Sequence, residues 1–573
     1  MRVINLDELT AEENKEFNAI ALEIRSKYND LIESVSADYV NNINWIVGSV
    51  ASRNKYQSPL FYRCCQLVLI QKILDRKEEI SEVILSDKPM AILLKKEFND
   101  QFKVTCSEKF LSRFWRNYRP LRQIIIAFYF LVFRYLGRSS KGRIASKNKP
   151  LILIDTFVLN NKLGDEGSII NGKYKDRYYP GLIDNLTEEQ KNNVFFLPTI
   201  VGFKNPISIF KKIRSAEFPF LLHDDYLRFS DYLFAMIHPF KVIKLKINNS
   251  VFSGVDMRSV IEQENRRNCS DFISILGLLY YRFPLRLKKD GVNVKILIEW
   301  YENQVMDRGM ITGFHEFMPE TTIAGYQGYI ISKGLHLYTQ PNRTEFFGGA
   351  VPDFVCVTGK GLVNNIYEFC KNANVVVAPG FRFQKLWRER KSYPRKDTFT
   401  ILIGLPIGLN DCKEILELFI NENELLNNEL FTFQIKPHPT WTPEIIKLLL
   451  PPGTLNGFDF VLGDFHDALE KVNLVVSNAS SVALESIAKG TPVLIISPST
   501  GILQNPIPDN VSKKCWRICS TAEDIKTQIY YFSECAKMGK SDFVKLGDDI
   551  RSEYFEPVSY EGVQKFLRLD KNI

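Results

Sequence analysis

The run KVNLVVSNASSVALESIAKGTPVLIIS (471–497) decides the fold. KVNLVVSN (471–478) and TPVLIIS (491–497) are short, nearly continuous apolar runs, the pattern of strands covered on both faces of a parallel sheet. Between them Ser480 and Ser481 lead directly into VALESIAKG, which reads as a helix. Strand, helix and strand in this order form the building unit of an α/β domain. Upstream, TFTILIGLP (398–406), LFTFQIKPHP (430–439) and FDFVLGD (458–464) repeat the strand pattern. Helices are expected between them at about 410–421, 442–450, 464–471 and 481–489. The result is a doubly wound, Rossmann-like sheet.

A second set of runs lies further upstream: PLILIDTFVL (150–159), NNVFFLPTIV (192–201), VNVKILIEW (292–300), TTIAGYQGYI (321–330), DFVCVTG (353–359) and ANVVVAPG (373–380). INWIVGSVAS (43–52), ISEVILS (80–86) and FKVTC (102–106) read as earlier strands of the same unit, with a helix at 58–74. The expected fold class is α/β with two facing Rossmann-like domains. Residues 1–40 are expected as a helical segment, and 41–390 as an acceptor-side domain with a basic helical insertion at about 107–149. The charged stretch RERKSYPRKD (388–397) links it to a donor nucleotide-binding domain at 391–555, and a helix in 556–573 crosses back to the first domain.

Composition narrows the function classes. The chain has 573 residues, 45% hydrophobic and 24% charged, with a net charge of +8. That is globular, and too weakly basic for a dedicated nucleic-acid binder. The ten cysteines form no CxxC pair, which argues against structural zinc and suits a reducing compartment. The acidic, polar start MRVINLDELTAEEN has no signal-peptide core, so a cytoplasmic location is expected. IIIAFYFLVF (124–133) is too short to span a bilayer. Arg113, Arg116, Arg119 and Arg122 precede it, and Arg134, Arg138, Lys141, Arg143, Lys147 and Lys149 follow. Cationic flanks around an apolar centre suit a peripheral helix on the inner face of the cell membrane; a buried helix with solvated flanks is the plainer alternative.

Two motifs sit at strand ends of the second unit, where open parallel sheets bind ligands. One strand ends in Lys436-Pro437-His438-Pro439, and another runs through Ser477 and Asn478 to Ser480 and Ser481 at a helix start. Serine hydroxyls and free backbone N–H groups there, the Lys436 charge and a His438 donor all suit a nucleotide phosphate. Glu485, one turn on, is placed to accept from ribose hydroxyls. A Ser pair alone is explained by helix capping, and Lys-Pro-His-Pro alone by a rigid turn. Their joint placement favours a ligand.

KPHP followed by SNASSVALESIAKGTPV resembles the HP and SS motifs of bacterial sialyltransferases, polysialyltransferases and Kdo transferases. The resemblance covers about 430–500 well and the two-domain layout loosely. It implies that His438, Ser480 and Ser481 hold a CMP-activated ulosonic acid such as Kdo, sialic or pseudaminic acid. Wall-teichoic-acid glycerophosphotransferases carry a similar pair and use CDP-glycerol, so the pair is not unique to sugar transfer. The same families place their general base in an acidic-acidic-Gly motif, which Asp165-Glu166-Gly167 matches; a surface turn is the plain reading of those residues.

Glu302 follows the strand 292–300 and is a second candidate base; a helix N-terminal Glu balancing the dipole is its plain reading. The order ENQ, helix, GYQG (325–328), together with DRYYPGL (176–182), resembles uncharacterised surface-carbohydrate biosynthesis proteins. Arg382, in PGFRF near the linker, is placed to meet a donor phosphate or sugar carboxylate. No DxD triplet follows a strand, so the expectation is a metal-independent enzyme without a cofactor.

The expected activity is transfer of a sugar, CMP-activated, onto a hydroxyl of a growing capsule, O-antigen or lipopolysaccharide glycan or glycolipid. The competing readings are a UDP- or GDP-sugar transferase, a CDP-glycerol-type phosphotransferase, or a non-catalytic membrane-bound assembly partner. An intact acidic triplet beside the nucleotide motifs argues against the last.

Overall fold

The computed structural model describes residues 2–108, 110–143, 149–160, 166–202, 205–334, 336–389, 398–478, 480–538 and 543–569. Two six-stranded sheets, parallel throughout, organise the chain. The first runs in the order Val375–Val377, Phe354–Val357, Thr322–Gln327, Val294–Trp300, Leu151–Leu159, Val194–Val201. The second runs Phe458–Phe460, Phe431–Lys436, Phe399–Gly404, Leu474–Ser477, Val493–Ile496, Trp516–Cys519. Each reverses direction once. The reversal lies between Leu151–Leu159 and Val294–Trp300 in the first sheet, and between Phe399–Gly404 and Leu474–Ser477 in the second. These are the topological switch points at which doubly wound sheets bind ligands. The chain is therefore α/β with two Rossmann-like domains, the GT-B layout.

The central strands of both sheets, such as Leu151–Leu159, Val294–Trp300, Leu474–Ser477 and Val493–Ile496, are covered on both faces, which is why they are apolar without alternation. In the first, Leu151, Leu153, Leu297 and Val355 pack under the helices Phe272–Lys289 and Val305–Phe317. Ile152, Ile298, Trp300 and Tyr326 pack on the other side with Tyr179, Phe381 and the carboxy-terminal helix Tyr560–Phe566. That helix lies on the first domain, with Gln564 hydrogen-bonded to Gln190 and to the Asn185 carbonyl. In the second sheet, Ile401, Phe433 and Val476 face one core, and Leu402, Val475 and Ile495 face the core shared with the first domain.

The amino-terminal region departs from the sequence reading. Arg2–Asn5, expected within a helical segment, is a strand. It pairs in parallel with Ile80–Leu85, which pairs with Lys103–Cys106, so these strands form a separate three-stranded sheet. INWIVGSVAS, expected as a strand, begins instead as the short helix Ile43–Ile46, because Asn42 caps it by accepting from the Asn44 N–H. Short apolar runs do not distinguish buried strand from buried helix. Arg53, just beyond, joins this unit to the first domain: it and Arg308 both donate to Glu345, at 2.9 and 2.6 Å, in full burial. The expected insertion is one 28-residue helix, Phe110–Gly137. It is anchored by Ala127, Leu131 and a buried pair in which Arg134 Nε donates to Asp224 Oδ1 over 2.9 Å. Among the described residues no helix is long and apolar enough to cross a membrane.

Candidate functional site

The carboxyl ends of the second sheet open onto a cavity of about 650 Å³ between the two domains. The Phe431–Lys436 strand delivers Lys436 and His438 to its wall. Leu474–Ser477 leads to Ser480, Ser481 and Glu485, and Gly404 and Leu405 floor the switch point between these strands. From the first domain come Glu166, Lys175, Asp176 and Arg177, and from the segment before the linker come Arg382 and Lys385. The structure thus brings together Lys436, His438, Ser480, Ser481, Glu485, Arg382 and Glu166. Asp165 lies outside the described residues.

The His438 ring has a defined tautomer. Its Nδ1 accepts from the Thr440 backbone N–H at 3.2 Å, which leaves Nε2–H as the donor. Burial and the Arg177 charge push its pKa down to about 4, so it is a neutral donor at pH 7 and not an imidazolium. Ser480 Oγ accepts from the Val482 N–H at 3.4 Å. Ser481 Oγ donates to Glu485 Oε1 at 2.8 Å, and Glu485 Oε2 lies 3.1 Å from His466 Nε2. Burial works against the Glu485 charge, but His466, Ser481 and Arg382 outweigh it and hold the carboxyl below its usual range. The helix after the serines has only seven residues, so charged side chains carry more of the anion attraction than its dipole. Lys436 donates to the Gly463 carbonyl at 2.6 Å, and burial lowers its pKa.

Two guanidiniums face this cavity, Arg177 and Arg382. Among the described residues neither has a carboxylate partner. Burial lowers the Arg382 pKa, and Arg177 adds to that effect. Both are half-buried and repel each other, Glu485 offsets this at Arg382 without a salt bridge, and the surplus positive charge favours an anionic ligand. Two further polar atoms at this edge, Ser477 Oγ and His466 Nδ1, are buried without a hydrogen-bond partner among the described residues. Unsatisfied buried atoms are uncommon, and that of His466, which lines the cavity, marks where a ligand or water would bond.

The carboxylates divide by position. Glu166 is exposed, lines the cavity and pairs with Lys175 Nζ at 3.1 Å. Glu302 does not line it. It sits at the switch point of the first sheet, accepting from Trp300 Nε1 at 3.0 Å and from the Gln304 side chain. Beneath it Asp155 and Glu299 are buried; burial, then repulsion by Asp307 on Asp155 and by Asp155 and Asp307 on Glu299, raises both carboxyls well above the usual range. Asp176, which sequence reading did not single out, lines the cavity, and burial raises its pKa to about 6. Its Oδ1 accepts from the N–H groups of Tyr178 and Tyr179, at 2.9 and 3.1 Å. DRYYPGL was the available signal for both Asp176 and Arg177, but a fold-neutral motif does not announce that its loop reaches across to another domain. Among the described residues no group of His, Cys, Asp or Glu is arranged to hold a metal ion.

No family model matches the chain, and no curated protein sequence matches it. Solved structures do, with low similarity. The Staphylococcus aureus MnaA–UDP structure is 10% identical and aligns over 74% of this chain and 98% of its own, with a TM-score of 0.41. The UDP-GlcNAc 2-epimerase of Neisseria meningitidis bound to UDP-GlcNAc is 11% identical over 73% of this chain and all of its own, at 0.40. The calicheamicin glycosyltransferase CalG4 is 12% identical over 74% of this chain and 97% of its own, at 0.37. The fold assignment rests on the two sheets themselves.

Proposed function

We propose that the protein is a glycosyltransferase that binds a nucleotide-activated sugar in the interdomain cavity. One observation carries the reading: a single cavity at the switch point of the second sheet collects Lys436, His438, Ser480, Ser481 and Glu485, and adds two guanidiniums that make no salt bridge among the described residues. Lys436, the neutral His438 donor and the serines would hold the nucleotide phosphate, with Glu485 toward the ribose. Arg177 and Arg382 would take charge that builds on the departing phosphate oxygen, or a carboxylate on the sugar. The acceptor hydroxyl of a glycan or glycolipid attacks the anomeric carbon as the bond from that carbon to the phosphate oxygen breaks. Its proton passes to a cavity carboxylate. Asp176 suits that role better than Glu302, since it lies in the cavity and titrates near neutrality. Glu166 is the second choice.

The donor we infer is a CMP-activated ulosonic acid, on the paired motifs at Lys436–Pro439 and Ser477–Ser481. Thermal stability measured with CMP, CDP, UDP and GDP tests the site and its nucleobase preference together. A bound nucleotide at a hundredfold excess over its Kd stabilises by about 2.7 kcal/mol. Stabilisation by CMP alone supports the inferred donor, and stabilisation by UDP or GDP moves the reading to those sugars. No response to any of the four would overturn the nucleotide site.

A further inference from the structure

We infer that the protein lies on an anionic lipid bilayer through one face built from the helix Phe110–Gly137 and the helices Phe229–Met236 and His238–Val242. A surface helix normally turns charged residues outward and apolar ones inward. Here the inward side is apolar, with Ala127 and Leu131 buried, and the outward side is apolar as well. Along the first helix Leu121, Ile125, Ile126, Phe128, Tyr129 and Leu136 are exposed, Ile125 at 60% and Phe128 at 57%. Phe229, Leu233, Ile237, Phe240 and Ile243 do the same on the second segment, with Phe229 at 58% and Phe240 at 66%. The two stripes adjoin. Tyr135 on the first helix packs edge-on against Phe229 and Tyr232, with centroids 5.7 and 5.6 Å apart. Sequence alone had marked only the 124–133 stretch, since the second stripe comes from a region about a hundred residues later.

The charge around this face chooses the occupant. Residues 110–143 contain no Asp or Glu and eight Arg or Lys. Residues 228–246 contain one acidic residue, Asp231, which is buried and paired with Arg286 at 2.7 Å and Arg282 at 3.0 Å. Arg122, Lys141, Lys241, Lys244 and Lys246 are exposed at the edges. Apolar and aromatic side chains in the middle, cations at the rim and, among the described residues, no exposed carboxylate on these three helices complement an anionic headgroup layer over acyl chains. Since no described helix can span, the protein rests in the interface with its apolar side chains inserted. This assignment does not depend on the sugar-transfer reading.

Flotation of the full chain with phosphatidylcholine vesicles, with and without phosphatidylglycerol, tests it. The protein should float with the anionic vesicles and much less with the neutral ones. Phe229→Ser/Leu233→Ser/Phe240→Ser and, separately, Lys241→Glu/Lys244→Glu/Lys246→Glu should each lower partitioning by about tenfold or more with an unchanged melting curve. If the first variant melts early, Ile125→Ser/Tyr129→Ser on the other helix replaces it and should give the same loss. No flotation of the wild type, or flotation of both variants equal to that of the wild type, overturns the proposal. So does a concentration-dependent dimer, dispersed by the apolar variant without vesicle binding, which would give the face to a second copy of the chain.

Discussion

The Arg382 guanidinium lies over the indole of Trp300, its central carbon 5.8 Å from the ring centroid. The same indole donates to Glu302. One aromatic side chain thus separates a cation that lines the interdomain cavity from a carboxylate that does not. Glu302 has both oxygens engaged by neighbours of its own strand end, which suits a residue that orients Trp300 better than one that takes a proton from substrate. Asp176→Asn should therefore lower turnover by roughly 10²–10⁴-fold while nucleotide affinity is kept. Glu302→Gln should change it far less. Steady-state transfer with nucleotide binding measured in parallel decides; a large loss confined to Glu302→Gln would reverse the assignment.

The pH profile follows from the same group. With the Asp176 pKa near 6, the base form fills as pH rises through that value, so kcat/KM should climb between about pH 5 and 7 and then level. Stability runs the other way. A carboxyl raised in the folded state stabilises while protonated, fully below the unfolded value, and that contribution is lost as pH rises through about 6. Asp176→Asn should flatten both trends. His438, already neutral above about 4, should add no inflection between pH 6 and 8. An acid limb that survives in Asp176→Asn would assign it elsewhere.

Arg177 and Arg382 come from different parts of the chain, and each lowers the pKa of a cavity neighbour: Arg177 acts on His438 and on Arg382 itself, and Arg382 acts on Glu485. If both serve one anionic donor, removing either should weaken nucleotide binding by roughly tenfold to a hundredfold, the range for a hydrogen bond to a charged group. Arg177→Met and Arg382→Met, assayed by calorimetry with the nucleotide that the thermal panel selects, give the numbers. A double variant no weaker than either single one indicates that they act as one clamp. Unchanged affinity in both singles would remove them from the site.

How legible this was in the sequence can be judged residue by residue. Lys436, His438, Ser480 and Ser481 were readable because each follows an apolar run at a strand end, and strand ends of a parallel sheet share one edge. Arg177 and Asp176 were not, because their loop reaches the cavity through packing of Tyr178 and Tyr179 against Trp300, a contact between segments far apart in sequence. Arg2–Asn5 escaped for the same reason: four residues become a strand only by pairing with Ile80–Leu85. Trp516–Cys519, the edge strand of the second sheet, is too short and mixed in polarity to stand out.

Glu345 holds two domains' worth of buried charge. Arg53 and Arg308 both donate to it, and Asn303 Nδ2 donates to its Oε2 at 2.9 Å. Removing one partner from a buried ion network leaves the others uncompensated, which typically costs about 3–5 kcal/mol. Glu345→Ala should unfold in urea well before the wild type, and Arg53→Met/Glu345→Ala should recover part of the loss. If Glu345→Ala melts like the wild type, the network contributes nothing to holding the amino-terminal unit in place.

The last prediction concerns the close crossing of the helices Phe272–Lys289 and Val305–Phe317 beneath the first sheet. It is made by glycines. A Cβ on Gly309 would sit 2.1 Å from the Gly277 carbonyl oxygen, and one on Gly313 would sit 2.4 Å from the Tyr281 carbonyl oxygen. Backbone atoms cannot step aside as a flexible side chain can, so a methyl group here must push the helices apart. Val305–Phe317 begins directly after Glu302 and carries Asp307, whose Oδ2 accepts from the Glu302 N–H at 2.9 Å. A shift in this helix therefore moves the strand end at the switch point. Gly309→Ala should destabilise by about 1–3 kcal/mol or more and should also disturb Trp300 fluorescence, because that indole is held by Glu302. Gly457→Ala, where an added Cβ meets nothing within 4 Å, is the matched control and should be neutral. Equal stability of the two variants would mean that the helices can separate without strain, and the crossing would then have no part in fixing the strand end above it.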